Sequence, residues 1–423
     1  SSGVTGWLDS TGAQIPSPYT ISTSASPVTI TYNGLNLPAD YWQPQLVTDI
    51  NASSGTISGT LTLKNTRTGA TYTFGSNTYY PGYGPWTLYN NSGTMIPAGN
   101  YQVTFTVTTD TNLTVSSLKF IASQWNLYKL TNTTDTQPTV TYVTGGYGQS
   151  NTPIGYDGTG NIYWGIYEGD RSYYQYNIST GAVAKFTPAN GGDDFYGAGA
   201  AYIAHDNTVI FGSDSGTIYK QSVSSFTAQG QTLDLSTIQP DAGQVRSTLA
   251  YDGQKILYFT SKGTGANGYL WGIDFTLGVG LPQLQLTGNS TSTPAISDSG
   301  YIYVGYNSGF SAGGVVAVLA SAFSGTPITI YTGDPVQSSP IVWSDTANDI
   351  DYVYFTTNAS NSPNHNGYCA SYVPGASGGN IVWNPNNPPG VPGSYALQGF
   401  AHTSEVGPVV IYGDDSNTLY VFQ

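Results

Sequence analysis

An all-β chain, a sandwich followed by a β-propeller, is predicted by three observations. One short pattern repeats from about residue 148 to the C-terminus. The first 122 residues alternate apolar and polar positions with a period of two, and no segment carries a helical 3.6 period. In the repeat, Thr or Ser leads into Pro or a small residue. An apolar stretch, a tyrosine-rich strand, a Gly/Asp/Ser turn and another strand follow. The clearest copies start at Asn151 (NTPIGYDGTGNIYWG), Ser292 (STPAISDSGYIYVGYNSG), Ser338 and Glu405, with weaker ones near Gly197 and Arg246. Six copies, most of them spaced by roughly 40–50 residues, predict one four-stranded blade per copy. Counting TVTYVTGG from Thr139 as part of a blade would make seven.

The N-terminal part reads as residues 1–122, an extended N-terminal segment leading into about seven strands. Its stretches PVTITYNG (from Pro27), GTLTLKNTRTGATYTFG (from Gly59) and AGNYQVTFTVTTDTNLTVSSLKFIA (from Ala98) alternate as half-buried antiparallel strands do. That strand number and turn spacing predict an immunoglobulin-like sandwich, without the Cys…Trp…Cys framework of true immunoglobulins. The remainder, 123–423, is the predicted propeller. Its last copy ends after a third strand, and an open edge is an aggregation hazard. QWNLYKLTN, around residues 124–131, is therefore expected to supply the missing strand.

Composition narrows the function. Charged residues are only 8% of the 423, yet no apolar run reaches the ~20 residues a membrane helix needs. The 35 Tyr, 14 Phe and 8 Trp give enough surface to bury, which argues against disorder. Ten Lys and Arg against 24 Asp and Glu leave a net charge of −14, so nucleic acid is excluded as a partner and cations or neutral glycans are favoured. A single cysteine, Cys369, forms no internal disulfide. Sequons at Asn51, Asn90, Asn112, Asn132, Asn177, Asn289 and Asn358, with a start at Ser1, point to an exported, extracellular or cell-surface glycoprotein.

The repeat T/S-x-P-x-(apolar)-x-x-x-G-x-I/V-Y-x-G, clearest at Thr293–Gly309 and Thr152–Gly165, resembles the PQQ-like (quinoprotein-type) β-propeller repeat. That resemblance implies the propeller fold over the last 290 or so residues. Some relatives are quinone-dependent dehydrogenases, while others are cofactor-free surface proteins. The enzymes' vicinal cysteine pair and Glu/Asn/Asp calcium set are not matched by a lone Cys369 and two glutamates, Glu168 and Glu405. No cofactor is expected beyond calcium.

Four groups of residues are candidates for chemistry. Gln149, Gln244, Arg246, Gln337, His402 and Glu405 stand just before or near the start of a repeat, where a propeller's channel opens, and could hold a sugar or a cation. Asp345, Asp349 and Asp351 offer hard oxygen ligands for calcium, although Asp in turns is expected for backbone reasons alone. Tyr79, Tyr80, Tyr83 and Trp86, in a Pro/Gly-rich setting, predict an exposed aromatic loop that serves as an interface. The sequons form the fourth group. The expected function is an extracellular structural protein without catalysis. It would be a subunit of a filament, sheath or surface layer (S-layer), joined to itself or to other surface proteins through β-rich contacts. Adhesion or glycan binding is the alternative, and a secreted enzyme acting on polysaccharide or alcohol is the third reading.

Overall fold

The computed structural model describes residues 6–23, 27–51, 56–79, 86–89, 95–131, 139–189, 191–278, 283–309, 311–358, 367–383, 401–403, 409–413 and 419–422. For residues 45, 47, 49–51, 75–79 and 86–89, and beyond 383, only the backbone is described. Among the described residues the chain is all-β and antiparallel, with no α-helix. It divides into two compact units: Ser1–Ser150 with Ile166–Asp170, and Asn151–Gly165 with Arg171–Gln423. The first unit thus runs past the expected boundary at 122 and takes back a short segment from within the first repeat.

In the first unit the strands are β1 (Trp7–Leu8), β2 (Tyr19–Ile21), β3 (Val28–Asn51), β4 (Ile57–Asn65), β5 (Thr71–Tyr79), β6 (Trp86–Tyr89), β7 (Ile96–Thr109) and β8 (Leu113–Ser123). They follow the order β2-β8-β3-β7-β4-β5, with β1 and β6 also on β3. The 24-residue β3 is the organising element. Its first part, Val28–Trp42, pairs with β7, and its second, Gln43–Asn51, pairs with β8. Register shifts at Tyr32/Leu35 and Leu37/Tyr41 fall beside the positive-φ residues Gly34 and Asp40. Bulges of this kind bend a strand and let it turn a corner from one set of partners to another. The period-two reading holds here. Tyr101, Val103, Phe105 and Val107 of β7 and Ile57, Leu61 and Leu63 of β4 are no more than 1% exposed. Burying side chains of this size contributes about 1.5–3 kcal/mol each.

The N-terminal segment is also folded into this unit. Trp7 pairs opposite Tyr32, β2 pairs with β8, and Trp7, Ile15 and Ile21 join the core. Next come β9 (Asn126–Thr131) and β10 (Thr139–Gly145), which form a hairpin of their own. β9, the strand expected to clasp the C-terminal sheet, is thus paired with β10, and the Thr139 strand belongs to this hairpin rather than to a repeat. A two-residue strand β11 (Gly148–Gln149) then pairs with Glu168–Gly169. Gly148 allows that approach: a Cβ there would lie 1.9 Å from the Glu168 carbonyl oxygen.

The second unit is a β-propeller-like succession of antiparallel sheets, five with four strands and a last one with three described strands. The sheets begin with Gly155–Tyr156, Ala201–Ile203, Ala250–Tyr251, Ala295–Ile296, Ile341–Asp345 and Ala401–Thr403. First strands of the first and second, second and third, and fourth and fifth sheets touch, and the apolar clusters lie between consecutive sheets. Tyr173 of the first sheet stacks on Phe211 of the second at 3.7 Å, for example. Middle strands packed on both faces read as continuous apolar runs, as in the fully buried Tyr269–Asp274.

The lead Thr/Ser of four repeats now has a physical reason. It stands three residues before the first strand, and its hydroxyl bridges to the end of the second. Thr152 Oγ1 accepts from Gly165 N and donates to Gly165 O, and Ser247 does the same with Thr260. Ser338 repeats this with Thr356, while Ser292 accepts from Gly305 N. The weak second copy carries Ala198 at this place, without a hydroxyl.

Candidate functional site

The residues that follow each lead position link neighbouring sheets. Gly199 N donates to Thr248 Oγ1 (3.0 Å), Thr248 N to Thr293 Oγ1 (2.9 Å), and Thr293 N to Ser339 Oγ (2.9 Å). The Ser-Thr and Ser-Ser dipeptides of the repeats therefore split their tasks. The first residue closes its own sheet, and the second accepts an amide from the sheet before. This girdle holds the inner strands together where backbone groups would otherwise lack partners.

Above the girdle lies a cavity of about 310 Å³. Five sheets each contribute the residue just before their lead position: Asn151, Gly197, Arg246, Thr291 and Gln337. Pro153, Thr293 and Ser339 form its floor, and Tyr196 and Lys262 complete the lining. Arg246 is fixed from two directions. Its Nε and Nη2 reach the two oxygens of Asp214 at 2.9 and 2.5 Å, and its guanidinium lies 4.2 Å from the Tyr196 ring centre. Burial pushes the Asp214 carboxyl up from its ordinary value, against the pull of Arg246. A second bidentate pair, Arg171 with Asp194, lies beside it, since Asp214 N donates to Asp194 O.

Of the residues expected at the channel mouth, Arg246 and Gln337 line the cavity. Gln244 does not line it, and its Nε2 instead supports Asp214 at 3.3 Å. Gln149 lies in the first unit, where its carbonyl accepts from Tyr167 N. The expected ring had merged two repeat positions. Gln149 and Gln244 stand three before the lead residue, whereas Arg246 and Gln337 stand one before it. Only the backbone of His402 is described, and Glu405 lies outside the described residues. Lys262 and Tyr196 were not anticipated. Lys262 follows the end of a second strand, a place the repeat pattern did not mark as inward-facing.

The acidic turns are used by the fold. Asp351 is 1% exposed and accepts from Ser299, Tyr303 and Ser344 at 2.5, 2.7 and 2.7 Å. Asp345 caps its own turn through Ala347 N, Asn348 N and Asn348 Nδ2, and Asp349 sits at a positive φ of 54°. Among the described residues, no three His, Cys, Asp or Glu side chains converge as a metal site would require. Asp157, Asp193 and Asp241 likewise accept the hydroxyls of Tyr163, Tyr219 and Tyr269.

Among the sequons, Asn112 is exposed, and its Oδ1 accepts from Thr23 N. Asn177 caps a turn, and its Nδ2 donates to Asn161. The Asn289 amide nitrogen faces the carbonyls of Gly265 and Lys262, and Asn358, 3% exposed, donates to Gln337. Only the backbone of Asn51 is described, and Asn90 and Asn132 lie outside the described residues. In the aromatic cluster, Tyr79 ends β5 and Trp86 opens β6, so both stand in strands rather than in a loop. Tyr80 and Tyr83 lie outside the described residues.

A different apolar surface emerges on the β9–β10 hairpin. Tyr128 stands opposite Tyr142 and Leu130 opposite Val140, which puts all four on one face. They are 49%, 57%, 54% and 59% exposed, and the tyrosine rings meet edge to face at 6.0 Å.

No protein-family model and no curated protein matches the chain. Among solved structures it is similar to BamB from Moraxella catarrhalis, at 13% identity over 67% of this chain and 76% of that one, with a TM-score of 0.44. So slight a likeness carries no argument, and the propeller-like reading rests on the sheet order described above.

Proposed function

We propose that this chain is an extracellular structural protein without catalysis, a subunit of a cell-surface assembly held by β-rich contacts. In this reading an immunoglobulin-like sandwich precedes a six-bladed PQQ-like propeller, one blade for each of the six sheets. The observation that carries it is the β9–β10 hairpin. Two-stranded hairpins are marginal in water on their own. This one holds Tyr128, Leu130, Val140 and Tyr142 about half exposed on a single face. Covering that face would stabilise both hairpin and contact, and aromatic side chains are the ones enriched at protein interfaces. Light scattering behind size exclusion tests it. The native chain should form larger species as concentration rises, and Tyr128→Ser/Tyr142→Ser should stay monomeric. Equal assembly by both proteins, or a native chain that is monomeric throughout, would overturn the reading.

A second reading, a ligand-binding surface protein, is favoured by the cavity lined by one residue from each of five sheets. The reading of the mouth as a cation site is less well supported there, because Lys262 and Arg246 are its charged lining residues.

A further inference from the structure

We infer that the cavity at the girdle binds an acidic sugar or other carboxylate, with Lys262 as the charge that selects it. This rests on the second reading above, the mouth as a ligand site. Thr293 Oγ1 already accepts the Thr248 amide, and Ser339 Oγ accepts the Thr293 amide. Neither hydroxyl donates to a described residue, so each keeps a proton for whatever occupies the space they floor. Lys262 adds an ammonium with three donors. In the second unit Arg171, Lys220, Arg246 and Lys255 each sit on an aspartate. Lys262 lines the cavity and makes no ion pair among the described residues. Arg246 and Asp214 cancel each other's charge, as do Arg171 and Asp194, which leaves Lys262 as the charged lining residue that no described carboxylate pairs. Two hydroxyl protons and one unpaired ammonium fit a ligand that presents a carboxylate. The exposed Asn151 amide and the Tyr196 ring provide the polar and flat surfaces that a sugar ring uses.

Calorimetric titration of the full chain with galacturonate, galactose and acetate tests this, repeated with Lys262→Gln and Lys262→Arg. Galacturonate should bind saturably, about tenfold or more weaker to Lys262→Gln, as expected for loss of one charge-assisted contact, and nearly as well to Lys262→Arg. Added salt should weaken it, because the cavity is open to solvent. Acetate competing with galacturonate would support the inference and identify the carboxylate alone as the recognised group. Galactose binding as tightly as galacturonate, with no loss in Lys262→Gln, would overturn the inference while keeping the mouth as a ligand site. No binding by any of the three would overturn both.

Discussion

Replacing Ser247 by alanine should cost far more than the loss of one oxygen atom suggests. The side chain is 1% exposed, and its Oγ both donates to Thr260 O (3.0 Å) and accepts from Thr260 N (2.9 Å). Thr260 itself is fully buried, so water does not readily replace either bond. A buried backbone group left without a partner costs about 1–3 kcal/mol, and two such groups that relax in part give about 2–4 kcal/mol. Transfer of a small hydroxyl to an apolar methyl offsets little of this. Urea unfolding followed by tryptophan fluorescence measures it, since buried Trp271 donates to Ser261 in the same sheet. Ser247→Thr is the control, because Thr152 makes the same two bonds in the first sheet. A loss for Ser247→Ala below about 0.5 kcal/mol, the range of a neutral surface change, would refute the bridging role. So would an equal loss for both substitutions.

Four further outcomes are expected. Burial alone would raise the Asp157 carboxyl, but the Asn161 side chain and the amides of Asn161 and Thr159 outweigh it and hold its pKa at about 2. Because the folded value lies below the unfolded one, its contribution is present above about pH 4 and is lost as pH falls toward 2, so the melting difference between native chain and Asp157→Asn should shrink over that window. Asp351→Ala should destabilise by about 3 kcal/mol or more, since it strands three hydroxyls at the contact of two sheets, and calcium should not rescue its melting temperature. Burial pushes the Cys369 thiol up to about 12, so native protein at pH 8 should resist alkylation until unfolded. Glycopeptide mapping of native material should find sugar on exposed Asn112 and none on Asn358, which is buried and bonded to Gln337.

Where one residue type performs one repeated task, the sequence was legible. Alternation in β4 and β7 announced the core of the first unit, and the Thr/Ser-led repeats announced the successive sheets. The hydroxyl bridge explains why four of the repeats lead with Thr or Ser, and why the Ala198 copy was hard to see. Pairing between distant strands was not legible. β9 has the composition of an outer propeller strand, but register and partner depend on which edge is nearest after folding, and β10 follows it directly in the chain. The candidate site was half visible for a related reason. Arg246 and Gln337 occupy a true repeat position, whereas Lys262 follows the end of a second strand and comes beside Arg246 because its backbone N–H donates to Gln244 O. The acidic turns were ambiguous in the sequence because Asp serves equally as calcium ligand and as backbone cap. Only the three hydroxyls on Asp351 distinguish these roles.

The central claim, assembly through the hairpin face, is tested most directly by negative-stain microscopy of native material beside purified Tyr128→Ser/Tyr142→Ser. Regular fibres or lattices formed by the native chain and lost in the variant are the predicted result. Dispersed single particles from native material, or the same polymers from both, would contradict it.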